Sequence, residues 1–308
     1  MADLLDTPLV VVTGKGGVGK TTVAAALGLL ATRLGKRAIV AEVARRSDVA
    51  GILGTAAGRH DRVFVEHEIA PGLFHISIDP EDALAEYLQD QLGSSGLATV
   101  LSSSRMFGLL AAATPGLREL LTIGKVWELA QPERRTPGAE PYDLVVVDAP
   151  ATGHGVAVLA APRTFADAAA GGPITRQAQR IDATISDPAQ TALVAVARAE
   201  EMPVTETIHL QEALRDRLGR ELDAVVANRL EPDLFAPAEA KKLEAHDDHA
   251  AVRLARHAVA RARRQRAQVG RLHHQTGIDP VRLHARRDGP DLEALADELA
   301  RGLGIGSG

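Results

Sequence analysis

The segment VVVTGKGGVGKTT, residues 10–22, combines glycines, lysines and threonines at a spacing that suits phosphate binding. Within it, GKGGVGKT fits the pattern G-x-x-x-x-G-K-[ST], in which glycines let backbone amides turn toward a phosphate group. Lys20 is expected to reach the β- and γ-phosphates of a nucleotide, and the Thr21 hydroxyl is expected to ligate Mg²⁺. The residues predicted to hold the nucleotide are Gly14, Gly16, Gly17, Val18, Gly19, Lys20, Thr21 and Thr22. The alternative is a chance glycine turn that leads into a helix.

A second candidate metal ligand, Asp148, stands near the end of the apolar stretch DLVVVDA at residues 143–149. A carboxylate at the end of a buried strand is well placed to hold Mg²⁺, either directly or through water. The alternative role for Asp148 is to cap the helix that follows. Thr21 and Asp148 are therefore the predicted ligands of Mg²⁺, which would accompany ATP.

Short aliphatic runs bounded by turn residues recur along the chain with helical stretches between them, as is typical of buried parallel strands. These runs are residues 9–13, 37–43, 73–79, 143–149, 191–197, 223–229 and 279–284. The alternation predicts an α/β fold with a doubly wound, mostly parallel sheet. Together with the loop GKGGVGKT, it indicates a fold of the P-loop NTPase type. Residues 80–138 and 160–188 carry no strand pattern. We therefore expect one domain over residues 1–308, with a helical subdomain inserted at about those two stretches.

The composition narrows the classes of ligand and partner. The 308 residues include no cysteine, which excludes disulfides, thiolate zinc sites and cysteine-held iron–sulfur clusters. A formal net charge of −5 and a pI of about 6.1 provide no global positive field that would attract nucleic acid. No signal-peptide pattern and no long apolar stretch are present, so we expect a cytoplasmic protein without an integral membrane segment.

The basic tract AVRLARHAVARARRQRAQ, residues 251–268, could suggest a nucleic-acid-binding arm. It also carries an apolar stripe at helical spacing, formed by Val252, Ala255, Val259 and Ala262. The stripe predicts a docked helix whose arginines face water, and no aromatic residues interleave them for base stacking. We therefore expect no nucleic-acid partner. The two histidines of HDDH, residues 246–249, form only a weak metal pattern, more typical of a solvated helix face.

The first lysine of the loop, Lys15, belongs to the narrower pattern K-G-G-x-G-K-T-T. With it, the sequence resembles the deviant Walker A ATPases, a family that includes MinD, ParA, nitrogenase iron protein and the arsenite-pump ATPase. The resemblance implies that Lys15 crosses a dimer interface to the nucleotide of the facing subunit, where it offsets charge on the phosphates. A loop lysine that contacts only solvent is the alternative. Individual relatives use cysteines to hold an iron–sulfur cluster, a metalloid or zinc. Because this chain has no cysteine, those functions are not expected here.

Further motifs narrow the resemblance. The segment DAPATGH is similar to the D-x-A-P-T-G-H switch of the arsenite-pump and tail-anchored-protein targeting ATPases, which implies that the backbone near Gly153 moves with the γ-phosphate. The matching positions are Asp148, Thr152, Gly153 and His154. VARAEEMPVTET and VVANRL resemble later family motifs, which implies that Asn228 recognises the adenine edge. An asparagine that serves the turn after a strand is the alternative.

The sequence departs from the family after its second strand, where relatives carry an aspartate that orients the attacking water. Here IVAEVARRSD, residues 39–48, offers Glu42 and Asp48 as the nearby acids. The aligned position falls at Glu42, Val43 or Ala44, and neither valine nor alanine can position a water molecule. Glu42 is therefore a predicted catalytic residue beside Lys15 and Lys20, and we expect turnover to be weak.

Residues 104–129 could form a surface for a client protein. In the targeting ATPases a groove in this region receives an apolar helix, a mode of binding that favours flexible methionines. The apolar residues at helical spacing are Met106, Phe107, Leu109, Leu110, Leu117, Leu120, Leu121 and Trp127. The chain has only three methionines, so helices that pack on their own sheet are the alternative.

The sequence thus predicts a dimeric ATPase that binds ATP and Mg²⁺ and couples nucleotide state to a protein partner. The dimer is either a homodimer or a heterodimer with a paralogous ATPase. One alternative is a nucleotide-binding regulatory subunit with weak or no hydrolysis of its own, paired with such a paralogue. Another is a positioning ATPase like MinD or ParA, although the C-terminal segment DLEALADELARGL is acidic and poorly suited to anionic lipid.

Overall fold

The computed structural model describes residues 4–43, 48–54, 64–92, 114, 116–136, 138–168, 171–246, 249–286 and 289–305. Within these ranges the strands are β1 (Leu9–Gly14), β2 (Ala38–Val43), β3 (His67–Ala70), β4 (Leu73–Ile78), β5 (Leu144–Ala151), β6 (Thr191–Arg198), β7 (Ala224–Leu230) and β8 (Val281–His284). They form one sheet in the order β3-β4-β2-β5-β1-β6-β7-β8, in which only the β3/β4 pair is antiparallel. The predicted α/β fold with a mostly parallel sheet is confirmed.

All seven predicted strands are present, and their ends differ from the prediction by at most two residues. The strand that the sequence did not indicate is β3. It is only four residues long, lies at the edge of the sheet and pairs with β4 alone. Its residues alternate between buried and more exposed positions. So short a segment, HEIA, carries too few apolar residues for a period-2 pattern to be recognised.

The helices of the described residues are α1 (Lys20–Arg33), α2 (Asp48–Ile52), α3 (Pro80–Leu92), α4 (Leu117–Leu129), α5 (Thr152–Ala168), α6 (Pro173–Ser186), α7 (Glu201–Leu218), α8 (Pro237–Ala245), α9 (Ala250–Thr276) and α10 (Leu292–Leu303). One face of the sheet packs against α1, α2 and α10, and the opposite face packs against α4, α5, α6 and α7. Among the described residues of the stretches 80–138 and 160–188 there are helices and no strand, and β5 lies between the two stretches. The division into a sheet domain and an inserted subdomain stays a prediction.

The central strand β1 is buried along its whole length, because sheet neighbours flank both edges and helices cover both faces. Val10 and Val12 belong to the core on the α1 side, whereas Leu9 and Val11 belong to the core on the other side. A strand buried on both faces reads as a continuous aliphatic run, which is why LVVV was recognisable. This strand delivers the loop at residues 14–19 to the carboxyl edge of the sheet.

A buried network of charged side chains fastens α4 to the segment before β3. The Glu128 carboxylate accepts hydrogen bonds from Lys125 Nζ and from Arg134 Nε, each at 2.9 Å. Arg134 also donates to Glu66 at 2.6 Å, and the Tyr142 hydroxyl donates to Glu66 at 2.8 Å. The side chains of Lys125, Glu128 and Arg134 are at most 3% exposed, so their charges depend on one another for solvation.

The pKa shifts in this network follow from its geometry. Burial by itself raises the pKa of Glu128, but the hydrogen bond from Arg134 and the charge of Lys125 outweigh burial and hold that pKa below its ordinary value. Burial and the hydrogen bond to Glu66 raise the pKa of the Tyr142 hydroxyl. Because the folded-state pKa of Glu128 is depressed, its contribution to stability is present above the unfolded-state pKa and is lost as the pH falls through the folded-state value.

We expect Glu128→Gln to lower the free energy of unfolding by about 2–3 kcal/mol at pH 7, because two buried cations each lose one of their two carboxylate partners. The deficit should shrink as the pH falls through the acidic range in which the wild-type carboxylate becomes protonated. Urea denaturation at a series of pH values measures both effects. The matched control is Glu221→Gln, whose pair with Arg215 is exposed and should contribute under about 1 kcal/mol. A deficit for Glu128→Gln that stays constant with pH would contradict this account.

Candidate functional site

The glycine-rich loop leaves β1 at Gly14 and enters α1 at Lys20. Gly14 and Gly19 both have positive φ, at 143° and 98°. A Cβ at Gly14 would overlap the carbonyl of Val196 on β6, and a Cβ at Gly19 would overlap the side-chain amide of Asn228. Only glycine allows so close an approach with this backbone conformation. The loop is thus shaped by its neighbours on β6 and β7, and its amides are gathered at the N-terminus of α1.

The first turn of α1 brings the predicted phosphate and metal residues together. Lys20 is 8% exposed and folds back over the loop, where Nζ donates to the carbonyl oxygen of Lys15 at 3.2 Å. The Thr21 hydroxyl donates to Asp148 Oδ2 at 2.6 Å, across from α1 to the carboxyl end of β5. Asp148 is 2% exposed and therefore sits in surroundings where its charge is weakly solvated.

The donor set at Thr21 and Asp148 fits Mg²⁺. Hydroxyl and carboxylate oxygens are hard ligands, and Mg²⁺ needs only one or two of them from the protein when phosphates and water complete its shell. Elsewhere in the described part of the chain, no cluster of three or more His, Asp or Glu side chains could hold a metal ion. That includes His246 and His249 of the HDDH segment, whose two aspartates lie outside the described residues.

Lys15 is the predicted catalytic residue with an unexpected partner. Its ammonium forms an ion pair with the carboxylate of Glu206, which lies on α7 of the same chain. Both side chains are 31% exposed, so the pair lies at the surface beside the loop rather than in the core. Glu206 belongs to the PVTET segment that resembled a family motif, but the sequence offered no indication of this contact.

Asn228 lies at the end of β7 and is 6% exposed. Its Nδ2 donates to the carbonyl oxygen of Val18 at 2.8 Å, and its Oδ1 accepts from the amide of Arg229 at 2.8 Å. Arg229 has a positive φ of 57°, which is uncommon for a residue with a side chain. In this conformation Asn228 holds the glycine-rich loop through its hydrogen bond to Val18. It also lines a cleft that could receive a nucleotide base.

That cleft has a volume of about 240 Å³ and opens beside the first turn of α1. Its lining residues are Thr22, Asn228, Arg229, His284, Ala285, Arg286, Gly289, Pro290 and Leu295. The cleft connects the end of β7 with the segment after β8, so two elements that are distant in sequence form its walls. The predicted role of Asn228 toward adenine stays a prediction, and the position of the cleft is consistent with it.

Glu42 is fully buried at the carboxyl end of β2, beside Asp148 in the register of β2 and β5. Its Oε1 accepts from the amide of Asp48 at 3.2 Å, and its Oε2 accepts from the amide of Val49 at 3.1 Å. His75 on β4 approaches Oε2 through Nε2 at 2.6 Å. The carboxylate is therefore engaged with the first turn of α2. Its predicted role in positioning water stays a prediction.

Sequence reasoning did not select His75. The signal that could have found it is a histidine inside the aliphatic run LFHISI, because a buried imidazole needs a hydrogen-bonding partner. Of the other acids and switch residues, Asp48 is exposed at the start of α2, and Ala44 lies outside the described residues. α5 begins at Thr152 immediately after β5, and Gly153 and His154 are exposed in its first turn.

The predicted client region is only partly within the described residues. Met106, Phe107, Leu109 and Leu110 lie outside them. Leu120 is buried in the core, and Trp127 donates to Thr184 on α6 at 3.0 Å, so these side chains pack against their own domain. Between α3, α4 and α6 lies an apolar cavity of about 90 Å³. Binding of a client helix in this region stays a prediction.

The predicted docking of the basic tract agrees with α9, where Val252 and Ala262 are buried and Ala255 and Val259 are half-buried. The terminal helix α10 likewise packs its apolar face inward, against α1 and β8. In the ranges for which the structure is described, no helix combines the length and the apolar character needed to cross a membrane.

Comparison with known proteins agrees with this arrangement. The family model of the anion-transporting ATPases matches residues 7–170 and 173–256, and the chain belongs to that family. It is similar to the ATPase BagA of Mycobacterium tuberculosis, with 32% identity over 79% of this chain and 71% of that protein. It is also similar to an arsenical pump-driving ATPase of Acidiphilium multivorum, with 25% identity over 76% of this chain and 41% of that protein. The ATPase GET3B of Arabidopsis thaliana is 29% identical over 56% of this chain and 44% of that protein.

We expect Glu206→Gln to make the Lys15 amine more reactive, because an ammonium held by a carboxylate is less available than one that is free. Labelling the nucleotide-free protein with an acetylating reagent, followed by mass spectrometry of the loop peptide, should show a several-fold faster reaction at Lys15. Glu212→Gln is the matched control, since Glu212 is an exposed acid on the same helix. Equal labelling rates in both variants would show that the ion pair does not restrain Lys15 in solution.

Proposed function

We propose that this protein is a cytoplasmic ATPase that binds ATP with Mg²⁺ at the loop between β1 and α1. We propose further that it acts as a dimer and couples its nucleotide state to a protein partner. The observation that carries this proposal is the hydrogen bond from Thr21 to Asp148, adjacent to Lys20. A hydroxyl, a carboxylate and an ammonium thus lie together at one edge of the sheet, and these are groups that bind Mg²⁺ and the phosphates of a nucleoside triphosphate. Membership of the anion-transporting ATPase family supports the same chemistry.

Each group of the site has a role in this proposal. The loop amides and the Lys20 ammonium hold the phosphates, which offsets their negative charge. The Thr21 hydroxyl oxygen and the Asp148 carboxylate would hold Mg²⁺, with Asp148 doing so directly or through water. Bound Mg²⁺ supplies further neutralisation of the phosphate oxygens. Lys15 leaves Glu206 and contributes its charge to the site of the facing subunit.

Lys20→Ala should weaken ATP binding by about 10- to 100-fold, because a charge-assisted contact to phosphate is lost. Isothermal titration calorimetry with ATP and Mg²⁺ measures the effect. Lys241→Ala, at an exposed lysine on α8, should leave the affinity unchanged. Thr21→Ala should remove most of the dependence of affinity on Mg²⁺. An unchanged affinity in Lys20→Ala would overturn the assignment of the loop.

The proposed dimer is tested by mixing two inactive variants. Lys15→Ala keeps its own phosphate loop but supplies no lysine to a neighbour, whereas Lys20→Ala lacks a working loop but retains Lys15. Each variant alone should hydrolyse ATP poorly, and an equimolar mixture should recover part of the wild-type rate, because mixed dimers contain one complete site. A mixture no more active than the separate variants would count against a lysine that acts across subunits.

The second candidate function is a nucleotide-binding regulatory subunit that depends on a paralogous ATPase for hydrolysis. The arrangement of Glu42 favours it, because both carboxylate oxygens are already engaged by α2 and His75. Single-turnover hydrolysis by the isolated protein distinguishes the two functions. A positioning ATPase like MinD or ParA has less support, because the apolar face of α10 is buried against α1 and β8 rather than available to lipid.

A further inference from the structure

Glu42 and His75 form a buried pair at the edge of the sheet that carries the glycine-rich loop. Glu42 is 0% exposed and His75 is 1% exposed. A carboxylate only accepts hydrogen bonds, so His75 Nε2 is the donor in the 2.6 Å contact to Glu42 Oε2. The other ring nitrogen, Nδ1, is buried and has no hydrogen-bond partner among the described residues. Among the described residues, Glu42 is therefore the hydrogen-bonding partner of the His75 imidazole.

The pair holds the beginning of α2. The backbone amides of Asp48 and Val49 both donate to the Glu42 carboxylate, one to each oxygen. These are amides of a first helical turn, which have no acceptor within the helix. Val49 and Ala50 are fully buried in the core on the α1 side, so water cannot easily replace the carboxylate. Loss of Glu42 would leave the buried amide of Val49 without this acceptor, which destabilises the first turn of α2.

The same pair connects α2 to the metal-binding strand. Glu42 pairs with Asp148 in the register of β2 and β5, and the two strands run parallel. Side chains at paired positions of parallel strands point to the same face, which here is the face covered by α1 and α2. His75 lies on the strand on the other side of β2 and is two positions away from the residue opposite Glu42. Adjacent strands thus link α2, Glu42 and Asp148.

We propose that His75 is a positioning residue for ATP hydrolysis, acting through Glu42 to fix the start of α2 and the exposed Asp48 at the edge of the nucleotide site. This inference rests on the proposed ATPase function. It gives Glu42 a task different from holding the attacking water. The carboxylate accepts the hydrogen bonds of the Asp48 and Val49 amides in the first turn of α2, and the hydrogen bond from His75 keeps the carboxylate in position.

The experiment uses the full chain and three substitutions. His75→Leu removes the donor at similar volume, His75→Gln retains an N–H donor, and Glu42→Gln removes the charge. Hydrogen exchange of the Asp48 and Val49 amides is measured in nucleotide-free protein, and kcat and the ATP dissociation constant are measured separately. His67→Leu is the matched control, a buried strand histidine next to His75 at a ring-centroid distance of 5.1 Å.

In His75→Leu we expect the two amides to exchange about tenfold faster and kcat to fall about tenfold, while the ATP dissociation constant changes less than about twofold. His75→Gln should recover part of both losses. The Glu42→Gln and His75→Leu effects on kcat should not add in the double variant, because both act through one unit. His67→Leu should reproduce none of these changes.

Three results would overturn the inference. Unchanged amide exchange in His75→Leu would show that the histidine does not hold α2, and faster exchange with unchanged kcat would show that α2 does not matter for turnover. Loss of hydrolysis in Glu42→Gln without faster exchange would assign Glu42 to the attacking water itself. Failure of the wild-type protein to bind ATP would instead overturn the proposed function, whereas the exchange measurement would still decide whether His75 holds α2.

Discussion

The hydrogen bond between Thr21 and Asp148 is the contact around which this structure is arranged. It spans from the first turn of α1 to the end of β5 and passes beside the loop that leaves β1. The bond forms because β1 lies beside β5 and α1 packs on one face of the sheet. The loop between β1 and α1 also passes so close to Val196 on β6 that position 14 requires glycine. The aliphatic strands and the two hydrophobic cores hold β1, β5 and α1 in this arrangement. The polar side chains at the carboxyl edge of the sheet are brought together as a consequence.

The sequence was informative where one physical requirement dominated a position. Strands buried on both faces need continuous aliphatic runs, and a backbone that meets a phosphate needs glycines followed by a lysine, so both patterns could be recognised. The fold, the loop and the position of Asp148 followed from these requirements. The family resemblance also indicated Asn228, which the structure places against the loop through Val18.

The remaining features depend on contacts between segments far apart in the chain. The pair of Lys15 with Glu206 joins residues 191 positions apart, and the pair of Glu42 with His75 joins residues 33 positions apart. No local pattern specifies such pairs, because each partner alone resembles an ordinary surface or strand residue. The buried network of Glu128 and Arg134 was invisible for the same reason: charged residues at helical spacing usually face water. Tertiary packing, rather than local propensity, decides their environment.

The position of β1 in the sheet has a consequence for how the protein is made. β1 precedes both of its sheet neighbours in the chain, and these begin at Leu144 and Thr191. The loop also needs Asn228 before its conformation is complete. During synthesis the glycine-rich loop therefore exists without the strands that shape it until both have been made, and its assembly must await long-range pairing, which is slow. The proposed nucleotide affinity would therefore arise only after Asn228 has been synthesised, so the ligand cannot guide the earlier steps of folding.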